Sequence, residues 1–525
     1  MATLLKPFTQ PSSSPALLLP ASASLGPLSL SYSNLTHLIH SLRDQLDKWE
    51  GPNGPLNQGD VVSISLGNGI EFALSFLGVG AHRCIAAPLN PSYNSTEVSF
   101  YLQDCSTSLL LVPSSALTSS PLHPAVQAAR ELNVPVAEVR FDGKEVVLEF
   151  ESGRMGRGGN VVGSGEPRED DVALVLHTSG TTGRPKAVPL SHLNLATTMK
   201  NIVNTYSLTP KDRTFLVMPL FHVHGLLAGF LAPLLSGGSV VIPPKFSAGS
   251  FWDEFVGSGA NWYTAVPTIH QILLRTPKPN PIPTIRFIRS CSSALAPATF
   301  AELEKVFKAP VVEAYAMTEA AHQMTSNPLP PLTRKPGTVG LGQGVSIRIL
   351  SLTSDEQVSE GEVAIKGANV TKGYINNDKA NQESFTKDGY FRTGDRGRLD
   401  EEGYLVLTGR LKELINRGGE KISPLEVDAA LLSVEGVGEA VAFGVADEKF
   451  GEKVWAAVVL KKGSSIDEQT IIKQCKSKIS AFKCPEKVFI LDAIPKTATG
   501  KIQRKALATK FAKEVEQSNG FKAKL

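Results

Sequence analysis

Residues 172–200 read VALVLHTSGTTGRPKAVPLSHLNLATTMK, and the fold prediction starts from this stretch. It opens with an apolar run at 172–177, which predicts a buried strand. A loop rich in glycine and threonine follows. A helical pattern begins at Ser191, with four large side chains on one face: Leu195, Met199, Ile202 and Tyr206. The stretch therefore predicts a strand, a loop and a helix in succession, which is the repeating unit of parallel α/β sheets.

The loop carries an unbroken run of hydroxyl and glycine residues, namely Ser179, Gly180, Thr181, Thr182 and Gly183. Such glycines let the backbone approach a ligand closely, while hydroxyl and amide groups surround phosphate oxygens. Lys186 adds a positive charge. The spacing is not that of a P-loop, because the two glycines are too close together and Ala187 stands where a magnesium-binding hydroxyl is required. The loop indicates a phosphate site of another type, and a flexible turn is the alternative if the stretch is taken alone.

The alternation of β-branched runs and helical patterns extends beyond this stretch. It is present from Asp60 to Val112 and resumes after Asp170, which predicts a doubly wound α/β body. Between the two halves, residues 151–170 carry six glycines and predict a mobile surface loop. The pattern changes to mixed strands and helices after Arg410. We therefore predict an N-terminal domain at 1–409 and a small α+β domain at 410–525.

Composition excludes several functional classes. The formal charge of +3, from 53 basic and 50 acidic residues, gives no field large enough for nucleic acid. Five scattered cysteines without CxxC spacing indicate neither a disulfide framework nor a zinc site, and favour a reducing compartment. The most apolar early stretch, at 16–30, is interrupted by Pro20 and Pro27, so we predict no membrane span.

The two ends of the sequence bear on localisation. The first 43 residues lack Asp and Glu and are rich in serine, as in transit peptides, but they are short of arginine; a flexible start before a helix near 35–49 is the preferred interpretation. The sequence ends in Ala523-Lys524-Leu525, one residue from the Ser-Lys-Leu peroxisomal address. Cytosol and peroxisome are equally compatible with these features.

Four further motifs follow the loop in order: EAYAMTEAAH at 313–322, GYFRTGDRG at 389–397, TGRLKELINRGGEKISP at 408–424 and PKTATGKIQR at 495–504. Together with the loop they resemble the adenylate-forming acyl-CoA synthetase superfamily, which includes acyl-CoA ligases, coumarate:CoA ligases, luciferases and adenylation domains of peptide synthetases. The resemblance spans residues 60–507. It implies a ligase that uses ATP, Mg²⁺ and coenzyme A, with a mobile C-terminal domain.

The resemblance also implies roles for individual residues. The segment from Thr178 to Lys186 would hold the β and γ phosphates, and Glu319, beside Thr318, would hold Mg²⁺. Asp395 would accept hydrogen bonds from the ribose, and Arg410 would contact ribose or phosphate. The adenine would be framed by Ser293, Ala294, Glu313, Ala314 and Tyr315.

The small domain carries a second set of implied residues. Lys501 would offset negative charge on the α-phosphate and the carboxylate during adenylation. The domain would then rotate about Lys412, withdrawing Lys501 and bringing Gly418 and Gly419 against the pantetheine arm of coenzyme A. The resemblance thus implies that one small domain serves both adenylation and the reaction with coenzyme A.

The segments that build the acid pocket in this superfamily are unusually polar here. They contain PLFHVHGLL at 219–227 and RFIRSCSSALAP at 286–297, and a pocket for a long or aromatic acid should instead be apolar. Arginine, imidazole and hydroxyl groups suit a second carboxylate, and a residue as large as His322 would shorten the pocket. The predicted substrate-binding residues are His222, Arg289, Ser290, Ser293 and His322, with His224 and Ser292 beside them. The middle of the chain is also similar to plant oxalate:CoA ligases, which implies oxalate as the acid and a step in oxalate breakdown.

Alternative interpretations remain at this point. Arg289 could pair with an internal acid, His224 could be a core histidine, and His222 with His224 could form part of a metal site. Other functions are a coumarate- or fatty-acid-type ligase and, from a different class, a nucleotide-binding protein without turnover. The residues Lys501, Glu319 and Asp395 argue against the last of these. An amino-acid adenylation domain would need an acidic residue in the segment FHVHGLL, which has none.

Overall fold

The computed structural model describes residues 3–9, 12–21, 26–156, 165–178, 185–447, 449–496 and 502–522. Thirteen α-helices lie in this part of the chain: α1 (Tyr32–Lys48), α2 (Ile70–Ala81), α3 (Ser95–Asp104), α4 (Pro124–Glu131), α5 (His192–Tyr206), α6 (Ala232–Leu235), α7 (Phe251–Gly257), α8 (Pro267–Arg275), α9 (Pro297–Phe307), α10 (Asp378–Ser384), α11 (Pro424–Leu432), α12 (Glu468–Lys476) and α13 (Arg504–Lys522). A π-helix (His224–Leu231) and 3₁₀ turns at Lys6–Phe8, Thr318–Ala320, Leu411–Glu413 and Ala481–Lys483 complete the helical elements.

The strands before residue 345 are β1 (Pro15–Leu19), β2 (Leu28–Ser31), β3 (Trp49–Gly51), β4 (Gly54–Pro55), β5 (Val61–Ile64), β6 (Ile85–Pro88), β7 (Thr107–Pro113), β8 (Val136–Phe141), β9 (Val146–Phe150), β10 (Arg154–Met155), β11 (Val172–Thr178), β12 (Lys186–Ser191), β13 (Arg213–Phe215), β14 (Ser239–Val241), β15 (Trp262–Ala265), β16 (Phe287–Ser290), β17 (Val311–Met317), β18 (His322–Ser326) and β19 (Leu341–Gly342). The later strands are β20 (Ser346–Leu350), β21 (Glu360–Lys366), β22 (Phe391–Leu399), β23 (Leu405–Arg410), β24 (Ile415–Arg417), β25 (Glu420–Ile422), β26 (Val437–Asp447), β27 (Gly451–Leu460) and β28 (Lys487–Ile490).

Two mainly parallel sheets form the body of the N-terminal part. One has seven strands in the order β12-β11-β6-β5-β7-β8-β9, and the other has nine in the order β19-β18-β17-β16-β15-β13-β14-β1-β2. The parallel strands lie in the middle of each sheet, and antiparallel strands occupy the edges. One hydrophobic core contains side chains from both sheets, and every residue of α2 except Glu71 is buried. The predicted α/β class is confirmed.

The phosphate loop leads into a strand rather than directly into a helix. Strand β12 pairs antiparallel with β11, so the loop is the connection of a hairpin. Helix α5 begins only after Ser191, whose hydroxyl accepts a hydrogen bond from the backbone N–H of Asn194 at 3.2 Å. The Asn194 side chain accepts one from the Ser191 backbone N–H at 2.8 Å, which completes a capping box. The helix start was predicted correctly, but the segment at 186–191 was not recognised as a strand.

Residues 346–410 form a separate four-stranded antiparallel sheet in the order β20-β21-β22-β23. The last part of the chain has its own sheet, β25-β24-β27-β26 with β28 beside β27. Two hydrophobic clusters belong to this last part of the chain, and their buried members lie between residues 415 and 511. The other clusters contain only residues before 408. A change of hydrophobic core thus accompanies the change in sequence pattern near Arg410.

The glycine-rich segment at 151–170 is not entirely a loop. Strand β10 pairs with β3, and the Trp49 indole donates to the Ser152 carbonyl at 2.9 Å. Residues 157–164 lie outside the described part. Within the part that is described, no helix has the length and apolar character needed to cross a bilayer.

Candidate active site

The hairpin β11–β12 brings the two ends of the phosphate loop together. Thr178 stands directly opposite Lys186 in the strand register. Ser179, Gly180, Thr181, Thr182 and Gly183 lie outside the described residues, so their predicted contacts with phosphate stay a prediction. The ends of the loop are nevertheless fixed by a paired strand on each side.

Lys186, Glu319 and Tyr374 form one cluster beside this hairpin. The Lys186 Nζ lies 4.5 Å from the centre of the Tyr374 ring, and the Tyr374 hydroxyl donates to Glu319 Oε1 at 2.9 Å. Burial, and then the positive charge of Lys412, lower the pKa of Lys186, while Glu319 opposes that shift. Lys186, predicted to bind phosphate, and Glu319, predicted to hold Mg²⁺, therefore both contact Tyr374, which was not predicted. The predicted hinge residue Lys412 is near enough for its charge to act on Lys186.

The Glu319 side chain suits Mg²⁺ held jointly with nucleotide phosphates. Glu319 is 7% exposed and follows Thr318 in the 3₁₀ turn Thr318–Ala320. Mg²⁺ in nucleotide sites takes one or two carboxylates and completes its octahedron with phosphate oxygens and water. No group of three or more potential metal-ligating side chains occurs in the described ranges, and this includes the neighbourhood of His222 and His224. A single carboxylate fits an ion that arrives with its nucleotide.

Asp395 is held from two directions. It lies on β22 opposite Arg410 on β23, and Arg410 Nε donates to Asp395 Oδ1 at 3.0 Å. The Tyr315 hydroxyl donates to the other carboxylate oxygen. Burial, and then the Asp395 charge, raise the pKa of Tyr315 well above its usual value, so that its hydroxyl stays a donor. Asp395, Arg410 and Tyr315, predicted for three parts of one nucleotide, are thus brought together.

The other predicted adenine residues divide into two groups. Glu313 and Ala314 are buried on β17, whereas Ser293 and Ala294 are exposed on the segment after β16. Burial raises the pKa of Glu313 to about 7, against the opposing effect of the Gly337 backbone N–H, which donates to Glu313 Oε2 at 3.1 Å. Near neutral pH this carboxyl is therefore partly protonated.

The Glu313 carboxyl should make stability depend on pH. Its folded-state pKa of about 7 lies above the unfolded value, so its contribution is fully present below about pH 4.3 and is lost as pH rises through 7. The shift corresponds to about 3 kcal/mol. We expect the melting temperature of Glu313→Gln, measured by scanning calorimetry, to rise by a few degrees relative to that of the wild type as the pH increases from 5 to 8. Melting temperatures that change in parallel with pH would contradict this assignment.

Arg289 lies in a buried polar cluster on the acid side. The residue is 0% exposed, and it donates to three uncharged groups, Tyr206 Oη at 2.8 Å, Thr264 Oγ1 at 3.1 Å and Gln323 Oε1 at 3.2 Å. Among the described residues, no carboxylate forms an ion pair with it. Among the residues that the structure describes, Arg289 therefore lacks the internal acid that the alternative interpretation requires.

Two histidines border the same cluster. His224, at the start of the π-helix, contacts Thr264 Oγ1 through Nε2 at 2.7 Å and Ser292 Oγ through Nδ1 at 3.0 Å. The His322 ring stacks on the His224 ring, with 5.1 Å between their centres. His322 has a backbone φ of 103°, which favours glycine, and is 0% exposed. A bulky side chain in such a conformation indicates that the imidazole itself is needed there.

Not every predicted acid-site residue joins this cluster. Ser290 follows Arg289 in β16, so its side chain lies on the opposite face of the sheet, and its hydroxyl has no hydrogen-bond partner within the described chain. Ser293 donates to the backbone carbonyl of Ser292, and His222 Nδ1 accepts from the His224 backbone N–H at 3.2 Å. The structure therefore brings together Arg289, His224, His322 and Ser292, but not Ser290.

Gly418 and Gly419 connect β24 and β25 in a tight hairpin. Their φ values are 62° and 92°, and a two-residue hairpin with both values positive strongly favours glycine. Backbone geometry alone thus accounts for both glycines, whether or not pantetheine passes beside them. Lys501 lies outside the described residues, and its role stays a prediction.

The comparisons with known proteins agree with this geometry. The AMP-binding enzyme model matches residues 26–375, and the model of the AMP-binding enzyme C-terminal domain matches residues 426–501. An oxalate–CoA ligase from Saccharomyces cerevisiae is 49% identical, over 92% of this chain and 93% of that protein. An oxalate–CoA ligase from Arabidopsis thaliana is 48% identical, over 91% and 94%.

A solved structure extends the match to three dimensions. ATP-bound MatB from Rhodopseudomonas palustris superposes with a TM-score of 0.85 at 28% identity, covering 97% of this chain and 99% of that one. The resemblance carried by the five motifs is confirmed both in sequence and in fold. The chain belongs to the AMP-binding enzyme family.

Proposed function

We propose that the protein joins oxalate to coenzyme A in an ATP-dependent reaction that yields oxalyl-CoA, AMP and diphosphate through an oxalyl adenylate, as a step in oxalate breakdown. The observation that carries this proposal is the fully buried guanidinium of Arg289, which forms no ion pair with a carboxylate in the described part of the chain. Relatives 49% and 48% identical to the chain are oxalate–CoA ligases, which supports the same acid.

An isolated buried charge favours an anionic ligand. Withdrawing a guanidinium from water costs several kcal/mol when no counter-charge accompanies it. The hydrogen bonds that the guanidinium donates to Tyr206, Thr264 and Gln323 orient it without neutralising its charge. One carboxylate of the substrate must stay free for reaction, so the counter-charge is supplied by a second carboxylate. A dicarboxylic acid meets this requirement.

The stacked imidazoles limit the length of that acid. His224 shares the Thr264 hydroxyl with Arg289, the His322 ring stacks on His224, and each histidine is 0% exposed. Oxalate, in which the two carboxylates are directly bonded, needs less length than any other dicarboxylic acid. Both the charge and the size of the site therefore favour oxalate over coumarate or fatty acids.

The reaction requires two anions to meet. A carboxylate oxygen of oxalate attacks the α-phosphorus of ATP, the bond to the β-phosphate breaks, and diphosphate leaves. Lys186 would hold the β and γ phosphates with the loop that begins at Thr178, while Asp395 and Arg410 orient the ribose. Glu319 would hold Mg²⁺, which when bound offsets the charge of the phosphates. Lys501 would stabilise the charge that develops at the reacting centre.

The second half-reaction breaks the new acyl–oxygen bond. The sulfur of coenzyme A attacks the acyl carbon, AMP departs as the leaving group, and the thiol proton passes to solvent. For this step the small domain would rotate about Lys412, so that Lys501 leaves and the Gly418-Gly419 hairpin faces the thiol. The separate hydrophobic cores before and after the proposed hinge support such a motion.

A panel of carboxylic acids tests the proposal directly. Oxalate, malonate, succinate, glyoxylate, 4-coumarate and palmitate should be compared at equal concentration for AMP and acyl-CoA formation. We expect oxalate to have the highest kcat/KM, with glyoxylate separating the effect of the second carboxylate from that of size. A preference for coumarate or palmitate would overturn the proposal, and the absence of AMP with every acid would favour a protein without turnover.

The side chain of His322 should control the length of the accepted acid. We expect His322→Ala to raise the KM for oxalate by about tenfold, because the smaller side chain leaves the short acid loosely held. The same change should raise kcat/KM for malonate and succinate. Steady-state kinetics with the three acids measure both effects, and unchanged kinetics with all of them would remove His322 from the acid site.

A further inference from the structure

Tyr374 contacts two oppositely charged residues with two different parts of one side chain. Its hydroxyl donates to Glu319 Oε1 at 2.9 Å, and the Lys186 Nζ lies 4.5 Å from the centre of its ring. The residue is 7% exposed. It belongs to the segment ANVTKGYIN at 368–376, which lies outside the five sequence motifs described above.

The backbone around Tyr374 is tied to both of the elements it contacts. The Thr371 N–H donates to the Glu319 carbonyl at 2.7 Å, and the Ile375 N–H donates to the Ala187 carbonyl at 3.0 Å. Asn381 adds two hydrogen bonds to the Tyr374 backbone, at 2.7 Å to its N–H and 3.0 Å to its carbonyl. The segment therefore has a fixed position between β12 and the Thr318–Ala320 turn, whatever the side chain at 374 does.

The hydroxyl and the ring of Tyr374 thus have two separate effects, one on Glu319 and one on Lys186. A hydrogen bond from the Tyr374 hydroxyl to Glu319 Oε1 fixes the rotation of the Glu319 side chain, as groups that orient a metal ligand do. The ring face attracts the Lys186 ammonium and offers it an alternative to collapse onto the nearby carboxylate. Each charged group is thereby kept in position for a different part of a nucleotide.

We infer that Tyr374 is a positioning residue for magnesium–ATP, holding the Glu319 carboxylate and the Lys186 ammonium apart in the arrangement that receives the metal and the phosphates. The inference rests on the roles proposed above for Glu319 and Lys186, but not on the identity of the acid. Tyr374 touches neither nucleotide nor metal in this scheme, and acts through its two neighbours.

Two substitutions distinguish the effect of the Tyr374 hydroxyl from that of its ring. Tyr374→Phe removes the hydroxyl and keeps the ring, whereas Tyr374→Leu removes both. Tyr404→Phe is the matched control, because Tyr404 is 5% exposed and its hydroxyl donates to a single acceptor, the Thr333 carbonyl, at 2.7 Å. ATP binding to the full chain, without acid or coenzyme A, is measured by calorimetry over a series of Mg²⁺ concentrations and in EDTA.

The expected result is specific to the metal. Tyr374→Phe should raise the Mg²⁺ concentration for half-maximal ATP affinity by about tenfold, since residues that orient a metal ligand typically contribute 10-fold to 100-fold to affinity. ATP affinity in EDTA should stay within about twofold of the wild type, because the ring remains under Lys186. Tyr374→Leu should weaken binding in EDTA as well, and Tyr404→Phe should change neither quantity.

A double-mutant cycle with Glu319→Gln tests whether Tyr374 acts through the carboxylate. In the Glu319→Gln background, adding Tyr374→Phe should leave the Mg²⁺ dependence unchanged. The inference is overturned if Tyr374→Phe matches Tyr404→Phe, if it weakens ATP binding equally with and without Mg²⁺, or if the two substitutions are additive. Because no acid is present, these outcomes are separate from a failure of the wild type to use oxalate.

Discussion

Replacement of Lys501 by alanine is expected to abolish formation of the oxalyl adenylate while leaving transfer from a preformed acyl adenylate to coenzyme A nearly intact. The ammonium would stabilise charge on the α-phosphate only during adenylation, and removing one such electrostatic group lowers a rate by about 10²–10³-fold. In the second half-reaction the lysine would have rotated away with the small domain. Exchange of labelled diphosphate into ATP measures the first step, and thioester formation from synthetic oxalyl adenylate measures the second.

The matched control is Lys473→Ala, which removes an exposed lysine from α12 in the same domain. It should affect neither half-reaction, because none of the contacts given for the site's described residues involves that helix. Equal loss of both half-reactions in Lys501→Ala would contradict the two-conformation scheme, and normal diphosphate exchange would remove Lys501 from the catalytic residues.

Arg289→Met is expected to separate activity from stability. The substitution removes the guanidinium with only a modest change of volume, so kcat/KM for oxalate should fall by about 10²–10³-fold, or about 3–4 kcal/mol, the cost of losing a buried charge partner. The melting temperature should be unchanged or higher, because replacing an isolated buried charge by an apolar group is often neutral or stabilising. Steady-state kinetics and calorimetry on the same preparation test both statements.

Glyoxylate provides the internal control for this variant. It has the size of oxalate but only one carboxylate, so its kcat/KM should be nearly the same in the wild type and in Arg289→Met. An equal loss with oxalate and glyoxylate would mean that Arg289 supports the pocket rather than recognising a second carboxylate. A lower melting temperature with unchanged oxalate kinetics would make the residue purely structural.

Elements with strong local signals were predicted well from the sequence. The strand predicted at 172–177 is β11, and the helix predicted from Ser191 is α5. Within the alternation predicted after Asp170, the apolar run TFLVMPL at 214–220 was less informative, since only its start belongs to β13. Apolar character alone does not distinguish a strand from buried irregular chain, and pairing with β14 and β15 is what defines the strand here.

The composition of the site was predictable, but its internal contacts were not. Motif spacing pointed to Glu319, Asp395 and Arg410, and polar residues in an expected apolar pocket pointed to Arg289. The partners that orient these groups are distant in sequence: Tyr206 is 83 residues from Arg289, and Tyr374 is 55 residues from Glu319. A buried tyrosine is a common core residue, so nothing local distinguishes these two from others.

The separate hydrophobic cores on either side of residues 408–414 bear on the exchange of domains between related enzymes. The groups proposed to bind the acid, the ribose, Mg²⁺ and the β and γ phosphates lie before Leu411. Among the described residues, the hydrophobic cores beyond Leu411 share no member with the cores before it. A graft made just after Arg410 would keep the Asp395–Arg410 pair and would divide none of the hydrophobic clusters formed by the described residues. Acid preference and thioester transfer could therefore be inherited, or engineered, as independent modules.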